Sequence, residues 1–303
     1  MTDAVDTATE TFLGYRELLF SVVYNMLGSV ADTEDVLQEA WLAWQARVRG
    51  GEPIDNVRAY LTRIAVNQAL ARRSALARRR EDYVGQWLPE PLLDADTAVG
   101  DGAASVVRAE SSSMAMLVVL ESLTPLERAV FVLNEVFAYP HTEIADMVDR
   151  SPAAVRQIAH RARVHVQARR PRTQVDPRIR REVTERFVDA AMGGDLEKLL
   201  AVLAPEVTLW TDGGGSGPAT SLQPVHGRTA VAEVFLAVAA GGLDGYRVGW
   251  RTVSGDPCAV IFDGAAPLAV VVLDVAPDDT VLGIYSVTNP AKLTRVHDPN
   301  PAH

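Results

Sequence analysis

The chain of 303 residues is poor in cysteine and has no apolar run long enough to span a membrane. Cys258 is its single cysteine, which excludes an internal disulfide and a zinc site built on cysteines. The longest apolar run near the end of the chain, residues 268–273, is far shorter than a bilayer requires. The opening residues MTDAVDTATE are acidic and polar, unlike a signal peptide. We therefore expect a cytoplasmic protein with no membrane partner.

Lysine is almost absent, and the basic residues are nearly all arginine. Only Lys198 and Lys292 are lysines among the 29 basic residues, and the net charge is −10. The arginines cluster at 72–80 and at 150–172, and no acid lies between residues 150 and 175. Two basic stretches on an acidic chain favour contact with two DNA segments, because the distribution of charge matters more than its sum. Solvated helix faces remain the alternative for either stretch alone.

Apolar periodicity and helix breakers predict several domains. Residues 12–80 carry helical stripes, Gly28 ends the first helix, and Asp32 is the expected cap of the second. Prolines and glycines after residue 84 predict a linker, although its WLPEP stretch is apolar enough to dock on a neighbouring surface. Helices return after residue 111, and short β-like runs follow residue 204. The expected domains are 10–83, a linker at 84–111, a second helical domain at 112–172, and an α+β domain at 177–296.

The most informative local pattern is a helix–turn–helix. Thr124 and Glu127 form the expected capping box of an earlier helix, and Ser151 followed by Pro152 begins the second helix of the motif. Such a helix enters the major groove, where arginine pairs with guanine and glutamine with adenine. The candidate DNA-binding residues are Ser151, Arg156, Gln157, His160, Arg161 and Arg163. An ordinary surface pair of helices is the alternative.

Two sets of motifs in order resemble extracytoplasmic-function (ECF) sigma factors, the group 4 class of the sigma-70 type. The first set is GYRELLFSVVYNMLGSVADTEDVLQEAWLAWQ with VRAYLTRIAVNQALARR; the second runs from LTPLERAVFVLNEVF to AAVRQIAHRARVHV. The resemblance implies two all-α domains, sigma region 2 and a region 4 helix–turn–helix, which bind core RNA polymerase and the −10 and −35 promoter elements. It covers about residues 12–170.

The resemblance also implies roles for individual residues. Those that match the acidic helix which binds the polymerase are Asp32, Asp35, Gln38, Glu39 and Trp41. Asn67, Arg72 and Arg73 fall in or beside the part that holds the −10 strand. One departure lies in the turn of the second module, where Asp149 replaces the usual glycine. Because aspartate tolerates a left-handed backbone better than most residues, we expect the turn to persist.

The last third is similar to SnoaL-like domains of the NTF2-like superfamily, which are α+β cones around a pocket. PRIRREVTERFVDAAMGGDLEKLLAVLAPEVTLWTDGGG carries this likeness, and YVGQWLPEPL and TNPAKL resemble motifs of the sigma factors that contain such a domain. Ser216 and Ala291 replace the Lys and Asp of that subgroup, so an interaction between those two cannot be carried over. We predict a regulatory contact between domains formed by Trp87, Leu88, Pro89, Asp212, Gly213, Gly214, Gly215, Asn289 and Pro290.

The chemistry of the C-terminal domain remains open from sequence. Asp212, His226, Tyr246, Asp263, Asp274 and Tyr285 could line a pocket. General acid–base catalysis needs burial and a partner within reach, and the sequence shows neither, so we expect no enzyme, no cofactor and no metal. The WTDGGGSGPA loop leads into more loop and contains no lysine, which argues against phosphate binding and favours close backbone contact. A small-molecule ligand is possible. The alternative function is a helix–turn–helix regulator with a ligand-sensing, or catalytic, C-terminal domain.

Overall fold

The computed structural model describes residues 2–51, 54–81, 83–94, 112–169, 175–218, 221–243 and 245–298. The chain divides into two compact units. The first contains residues 1–81, 101–112 and 119–171, and the second contains residues 82–100, 113–118 and 172–303. Part of the expected linker, and the residues just after position 112, therefore belong to the same unit as the C-terminal domain.

The described part of the first unit is helical. Its helices are α1 (Thr2–Leu27), α2 (Val30–Arg49), α3 (Val57–Glu81), α4 (Met114–Leu120), α5 (Pro125–Phe131), α6 (His141–Val148) and α7 (Pro152–Arg169), and the first residues of α4 belong to the second unit. A single π-helical turn, Val132–Val136, follows α5. Leu19, Val23 and Leu27 on the predicted stripe of α1 are fully buried, which confirms that face as core.

The start of α2 differs from the sequence prediction. Ser29, rather than Asp32, is the N-cap: its side chain accepts a hydrogen bond from the backbone N–H of Asp32. Asp32 instead lies in the first turn of the helix, where its charge suits the positive end of the helix dipole. The predicted cap was wrong because the helix begins earlier than expected, at Val30, with Ser29 as its N-cap. The Asp32 carboxylate is therefore left available to other partners.

The helix–turn–helix is formed by α6 and α7. The capping box of Thr124 and Glu127 is present before α5, and Ser151 Oγ accepts from the backbone N–H of Ala154 at the start of α7. Asp149 adopts φ 52° and ψ 58°, the left-handed conformation expected of it. The buried side of α7 includes the predicted Ile158, and Ala159 and Ala162 with it.

In the first unit, α3 packs against the turn that leads into α6. Tyr139 is 5% exposed, and its hydroxyl oxygen accepts a hydrogen bond from Arg58 Nε at 3.2 Å and lies 3.1 Å from Thr62 Oγ1. The Arg58 guanidinium also lies over the Tyr139 ring, 5.2 Å from its centroid. The region 2-like and region 4-like helices thus share one packed interior in this unit.

The second unit is built on a six-stranded sheet. Its helices are α8 (Pro177–Gly193), α9 (Leu196–Val202) and α10 (Arg228–Ala240), and its strands are β1 (Leu203–Asp212), β2 (Val225–His226), β3 (Tyr246–Val253), β4 (Asp256–Asp263), β5 (Ala266–Val275) and β6 (Val281–Val287). The strand order is β2-β1-β6-β5-β4-β3, with β1 and β6 parallel and the other neighbours antiparallel. A 3-10 turn, Pro290–Lys292, follows β6.

Each face of this sheet is covered by different parts of the chain. Phe187 of α8, Leu199 of α9 and Val231 of α10 pack against one face. Leu88 and Leu93, from the expected linker, pack with the beginning of α4 against the other face. Leu93 also forms an antiparallel bridge with Val253 at the end of β3. The prediction that WLPEP docks on a neighbouring surface is therefore confirmed, and that surface is the sheet.

Candidate functional site

The solvent-facing side of α7 carries most of the predicted −35 residues. Ser151, Arg156, Gln157, His160 and Arg161 are exposed, while Val155 and Ile158 hold the opposite side in the core. This division follows from the helical repeat, because residues three and four apart share a face. An exposed row of arginine, glutamine and histidine can donate to base edges in a major groove.

Two arginines of α7 are oriented by acids of neighbouring segments. Arg163 donates from Nε to Glu135 Oε1 at 2.9 Å, and Arg161 Nε lies 3.8 Å from Glu127 Oε1. The pKa of Glu127 is lowered, mainly by the hydrogen bond from the Thr124 side chain, and Arg161 adds a smaller electrostatic contribution. Arg163 is half-buried, so it is better placed for a phosphate than for a base edge.

The acidic face of α2 is open to solvent. Asp35, Gln38 and Glu39 are exposed, and Asp32 is partly buried. Trp41 is also partly buried, because its ring packs against Phe12 of α1 with centroids 5.2 Å apart. The predicted polymerase-binding residues thus lie on one helix, with a tryptophan that α1 holds in place.

The structure places the two predicted −10 arginines in different environments. Arg72 is partly exposed and donates from Nε to Asp32 Oδ1 at 2.8 Å and from Nη2 to Asp35 Oδ2 at 2.5 Å. Its pKa is raised, mainly by the hydrogen bond to Asp32. Arg73 is only 6% exposed and donates to the backbone oxygen of Met26 at 2.9 Å. The third candidate, Asn67, is exposed. Their DNA-binding roles stay predictions.

A buried ionic cluster joins the two helical modules inside the first unit. Glu121 accepts hydrogen bonds from Arg73 of α3 and from Arg128 of α5, and Arg128 is completely buried. Arg128 Nε also donates to the backbone oxygen of Asn25 at 2.8 Å, close to the Met26 oxygen bound by Arg73. Both arginines therefore satisfy carbonyls in the last turn of α1, where the helix dipole is negative.

In the second unit, the Asp212 carboxylate is fully buried at the end of β1 and collects donors from the linker and from the 3-10 turn. Its Oδ1 accepts from the Tyr83 hydroxyl at 2.6 Å. Its Oδ2 accepts from the backbone N–H of Leu88 at 2.8 Å and from Lys292 Nζ at 2.6 Å. Trp87 completes this group, with its ring 4.2 Å from Lys292 Nζ. We name Tyr83, Trp87, Leu88, Asp212, Asn289 and Lys292 the Asp212 cluster.

The glycine loop that follows Asp212 approaches the residues after β6 closely. Gly214 has φ 58°, and a Cβ atom there would overlap the Asn289 side chain. A Cβ atom on Gly217 would overlap the backbone oxygen of Thr288. Asn289 in turn donates from Nδ2 to the Tyr83 hydroxyl at 2.8 Å. The expectation that these glycines permit close backbone contact is therefore confirmed.

Sequence reasoning missed two members of the Asp212 cluster, Tyr83 and Lys292. Both lie in stretches that had been singled out, YVGQWLPEPL and TNPAKL, and Lys292 is one of only two lysines in the chain. Ser216 and Ala291 stand at the positions where the resemblance implies Lys and Asp. The ion pair in this chain joins Asp212 and Lys292 instead, which lie close to those two positions in the sequence.

The six residues considered for acid–base chemistry do not form one site. Tyr285 stacks on Trp210 at 5.0 Å, on the face that the linker covers, and strand alternation places Asp274 there too. Tyr246 and Asp263 are cross-strand partners on the other edge of the sheet. His226, expected in a loop, lies in β2 with Nδ1 3.0 Å from Thr208 Oγ1. Asp212 is engaged by the linker.

Among the residues that the structure describes, no group of three or more His, Cys, Asp or Glu side chains could hold a metal ion. Within the same ranges, no helix has both the length and the apolar character needed to cross a membrane.

Comparison with known proteins agrees with this architecture. Family models for sigma-70 region 2 and sigma-70 region 4 match residues 11–80 and 113–166. The ECF RNA polymerase sigma factor SigJ of Mycobacterium tuberculosis is 35% identical over 93% of this chain and 92% of its own length. The crystal structure of SigJ from the same organism superposes with a TM-score of 0.73 at 32% identity, and covers 95% of this chain and 98% of that one.

A smaller structural match concerns the C-terminal part. An NTF2-like protein of unknown function from Mesorhizobium loti covers 39% of this chain and 97% of its own, at 18% identity and a TM-score of 0.30.

The chain belongs to the ECF RNA polymerase sigma factors. It combines helical sigma regions 2 and 4 with a C-terminal α+β domain.

Proposed function

We propose that this chain recruits core RNA polymerase to promoters, with α2 on the polymerase, α3 at the −10 element and α7 at the −35 element. The observation that carries the proposal is the exposed face of α7, because it presents Arg156, Gln157 and His160 together while an apolar row on the opposite side is packed. Arginine and glutamine at such positions can each form paired hydrogen bonds with one base. The open acidic face of α2 complements a basic partner surface, which sets the rate and register of association.

Simultaneous recognition of both elements requires the two helical modules to separate. The elements lie about 25 base pairs apart by their names, which is about 85 Å of duplex at about 3.4 Å per pair. A compact unit of about 150 residues has a radius of gyration of about 15 Å. The first unit is therefore too small to contact both elements while α1–α3 remain packed on α5 and α6. We infer that this packing is broken on the promoter.

We propose that the C-terminal domain regulates this separation through the linker. The linker connects α3 to α4, and its Tyr83 and Leu88 are hydrogen-bonded to Asp212 in the second unit. While these bonds persist, they shorten the length of free chain between the modules. This is regulation in cis, which would replace or supplement a separate anti-sigma protein.

We further infer that the C-terminal domain regulates and does not catalyse. In support, the side chains with acid–base chemistry are divided between the face that the linker covers and the two edges of the sheet, and Asp212 has a structural role. A small-molecule ligand for this domain stays a prediction.

Transcription in vitro tests the proposal, with purified core polymerase, a promoter selected with the full-length protein, and full-length variants. Asp212→Asn weakens the linker contact and should change transcript yield without changing affinity for core polymerase. Asp278→Asn, at the exposed turn between β5 and β6, is the control and should match the original protein, because its carboxylate accepts from Thr280. Equal transcript yields from the original protein and both variants would contradict regulation through the linker.

If the chain does not copurify with core polymerase, the sigma role fails, and the alternative of an independent helix–turn–helix regulator takes its place.

A further inference from the structure

Arg72 of α3 is held between two carboxylates of α2. Its Nε donates to Asp32 Oδ1 at 2.8 Å, and its Nη2 lies 2.8 Å from the same oxygen and 2.5 Å from Asp35 Oδ2. The guanidinium therefore binds two carboxylates at once, through its Nε and Nη2 groups. Carboxylate and phosphate oxygens satisfy this fork in the same way. The acids of α2 thus occupy positions that a DNA phosphate could take.

This ionic site is accessible to competing partners. The Arg72 side chain is 29% exposed and that of Asp35 is 52% exposed. The exposed pair with Asp35 contributes at most about 1 kcal/mol, because solvent screens it. The Asp32 side chain is less exposed, at 16%, so a partner with a stronger charge can exchange most readily on the Asp35 side of the site. The neighbouring Arg73 differs, since it is buried against Met26 and Glu121.

We propose that Asp32 and Asp35 are internal competitors of DNA for Arg72, so that binding of polymerase to α2 releases Arg72 for the promoter backbone. The inference rests on the proposed function, which assigns the acids of α2 to the polymerase and Arg72 to DNA. It adds that the two surfaces share one ionic site and cannot act independently. A basic polymerase surface draws the carboxylates away, and the freed guanidinium then binds phosphate.

This coupling changes the affinity of the protein for DNA and for polymerase. The free protein binds single-stranded DNA weakly, because its own acids neutralise Arg72. Coupling between two sites is reciprocal, so engagement of Arg72 by DNA strengthens polymerase binding by the same factor. Removal of Arg72 should likewise release the acids and strengthen polymerase binding when DNA is absent.

The first experiment measures DNA binding by the full-length protein without polymerase. The probe is a fluorescein-labelled single-stranded 20-nucleotide DNA of mixed sequence, titrated by anisotropy at several salt concentrations. The double variant Asp32→Asn/Asp35→Asn should bind about tenfold more tightly, and the slope of log K against log salt should steepen by about 0.7, the contribution of one additional phosphate contact to a single strand. In an Arg72→Gln background the gain should disappear.

The matched control is Glu34→Gln, which removes one charge from the same helix but breaks a pair with Arg16 instead of Arg72. It reports the general effect of lower negative charge. Asp35→Asn alone guards against misfolding of the double variant, because Asp35 is exposed. The inference is overturned if Asp35→Asn gains no more affinity than Glu34→Gln, or if the gain survives in the Arg72→Gln background.

The second experiment measures affinity for core polymerase without DNA. Arg72→Gln should bind several-fold more tightly than Arg63→Gln, which removes a charge from an exposed position of the same helix. Equal affinities would overturn the coupling while leaving the sigma role intact. Loss of core binding by the original protein would instead refute the proposed function, so the two failures are distinguishable.

Discussion

Lys292 Nζ lies 2.6 Å from Asp212 Oδ2 in the second unit, and the two side chains are 10% and 0% exposed. The ammonium group also donates to the backbone oxygen of Leu88 at 2.5 Å and faces the Trp87 ring. One lysine therefore binds the end of β1 and the linker together. Because the pair is buried, loss of either charge leaves the other buried without its counter-charge.

Replacement of this lysine should release the linker. We expect Lys292→Met to weaken the docking of residues 83–94 by about 3–5 kcal/mol, the usual cost of leaving one buried charge unpaired. Hydrogen exchange of the corresponding peptide measures this locally, and its rate should increase by on the order of a hundredfold or more, since about 1.4 kcal/mol corresponds to tenfold.

Lys198, the other lysine of the chain, provides the control for this experiment. It pairs with Asp195 at the surface, where its side chain is 75% exposed. Lys198→Met should leave exchange at residues 83–94 unchanged. Comparable exchange rates in the two variants would contradict the role assigned to the Asp212 cluster.

The ionic contacts show what the sequence could and could not predict. The stripe of α1, the caps of α5 and α7 and most strands were predictable, because they depend on local periodicity and side-chain chemistry. The Asp212–Lys292 pair joins positions 80 residues apart. Its formation depends on the parallel pairing of β1 with β6, which a single sequence does not specify.

The arginines of α3 illustrate the same limit at a candidate site. Arg72 and Arg73 are adjacent and identical in type, and the sequence assigned both to DNA. The helical repeat turns one toward α2 and the other toward the end of α1 and Glu121. Their difference in burial is set by tertiary packing, since propensity and charge are the same for both.

The close approach of the glycine loop gives a second prediction. Gly214 and Gly264 both have φ 58°, but only at Gly214 would an added Cβ meet another residue, Asn289. Gly264→Ala should cost about 1–2 kcal/mol, the strain of a left-handed alanine. Gly214→Ala should cost more, because Asn289 must also move and lose its bond to Tyr83. Urea unfolding followed by tryptophan fluorescence measures both costs, and equal costs would show that the loop contact is unimportant.

Cys258 should make stability fall at alkaline pH. Burial raises the pKa of its thiol from 9.0 to about 12. Between these values the unfolded chain loses the thiol proton and the folded chain keeps it. The stabilising contribution of this thiol is therefore fully present below pH 9 and is lost as pH rises toward 12. The loss is about 1.4 kcal/mol per pH unit. Cys258→Ala should remove this slope from urea-unfolding data collected between pH 8 and 10.5.

The same burial should protect the thiol from modification. Native protein at pH 8 should react with iodoacetamide far more slowly than protein unfolded in urea, because alkylation requires an accessible thiolate. Fast alkylation of the native chain, or an unchanged alkaline slope in Cys258→Ala, would contradict the buried environment.

The Glu121 carboxylate should control how firmly the helical modules of the first unit pack together. Glu121→Gln leaves the side chains of Arg73 and the fully buried Arg128 without their counter-charge. We expect this packing to weaken by about 3–5 kcal/mol. Glu185→Gln, which breaks an exposed pair with Arg181 on α8, should cost at most about 0.5 kcal/mol. Hydrogen exchange in the last turn of α1 and in α5 reports the opening. If exchange there is the same in both variants, this ionic cluster does not hold the modules together, and apolar contacts must hold them instead.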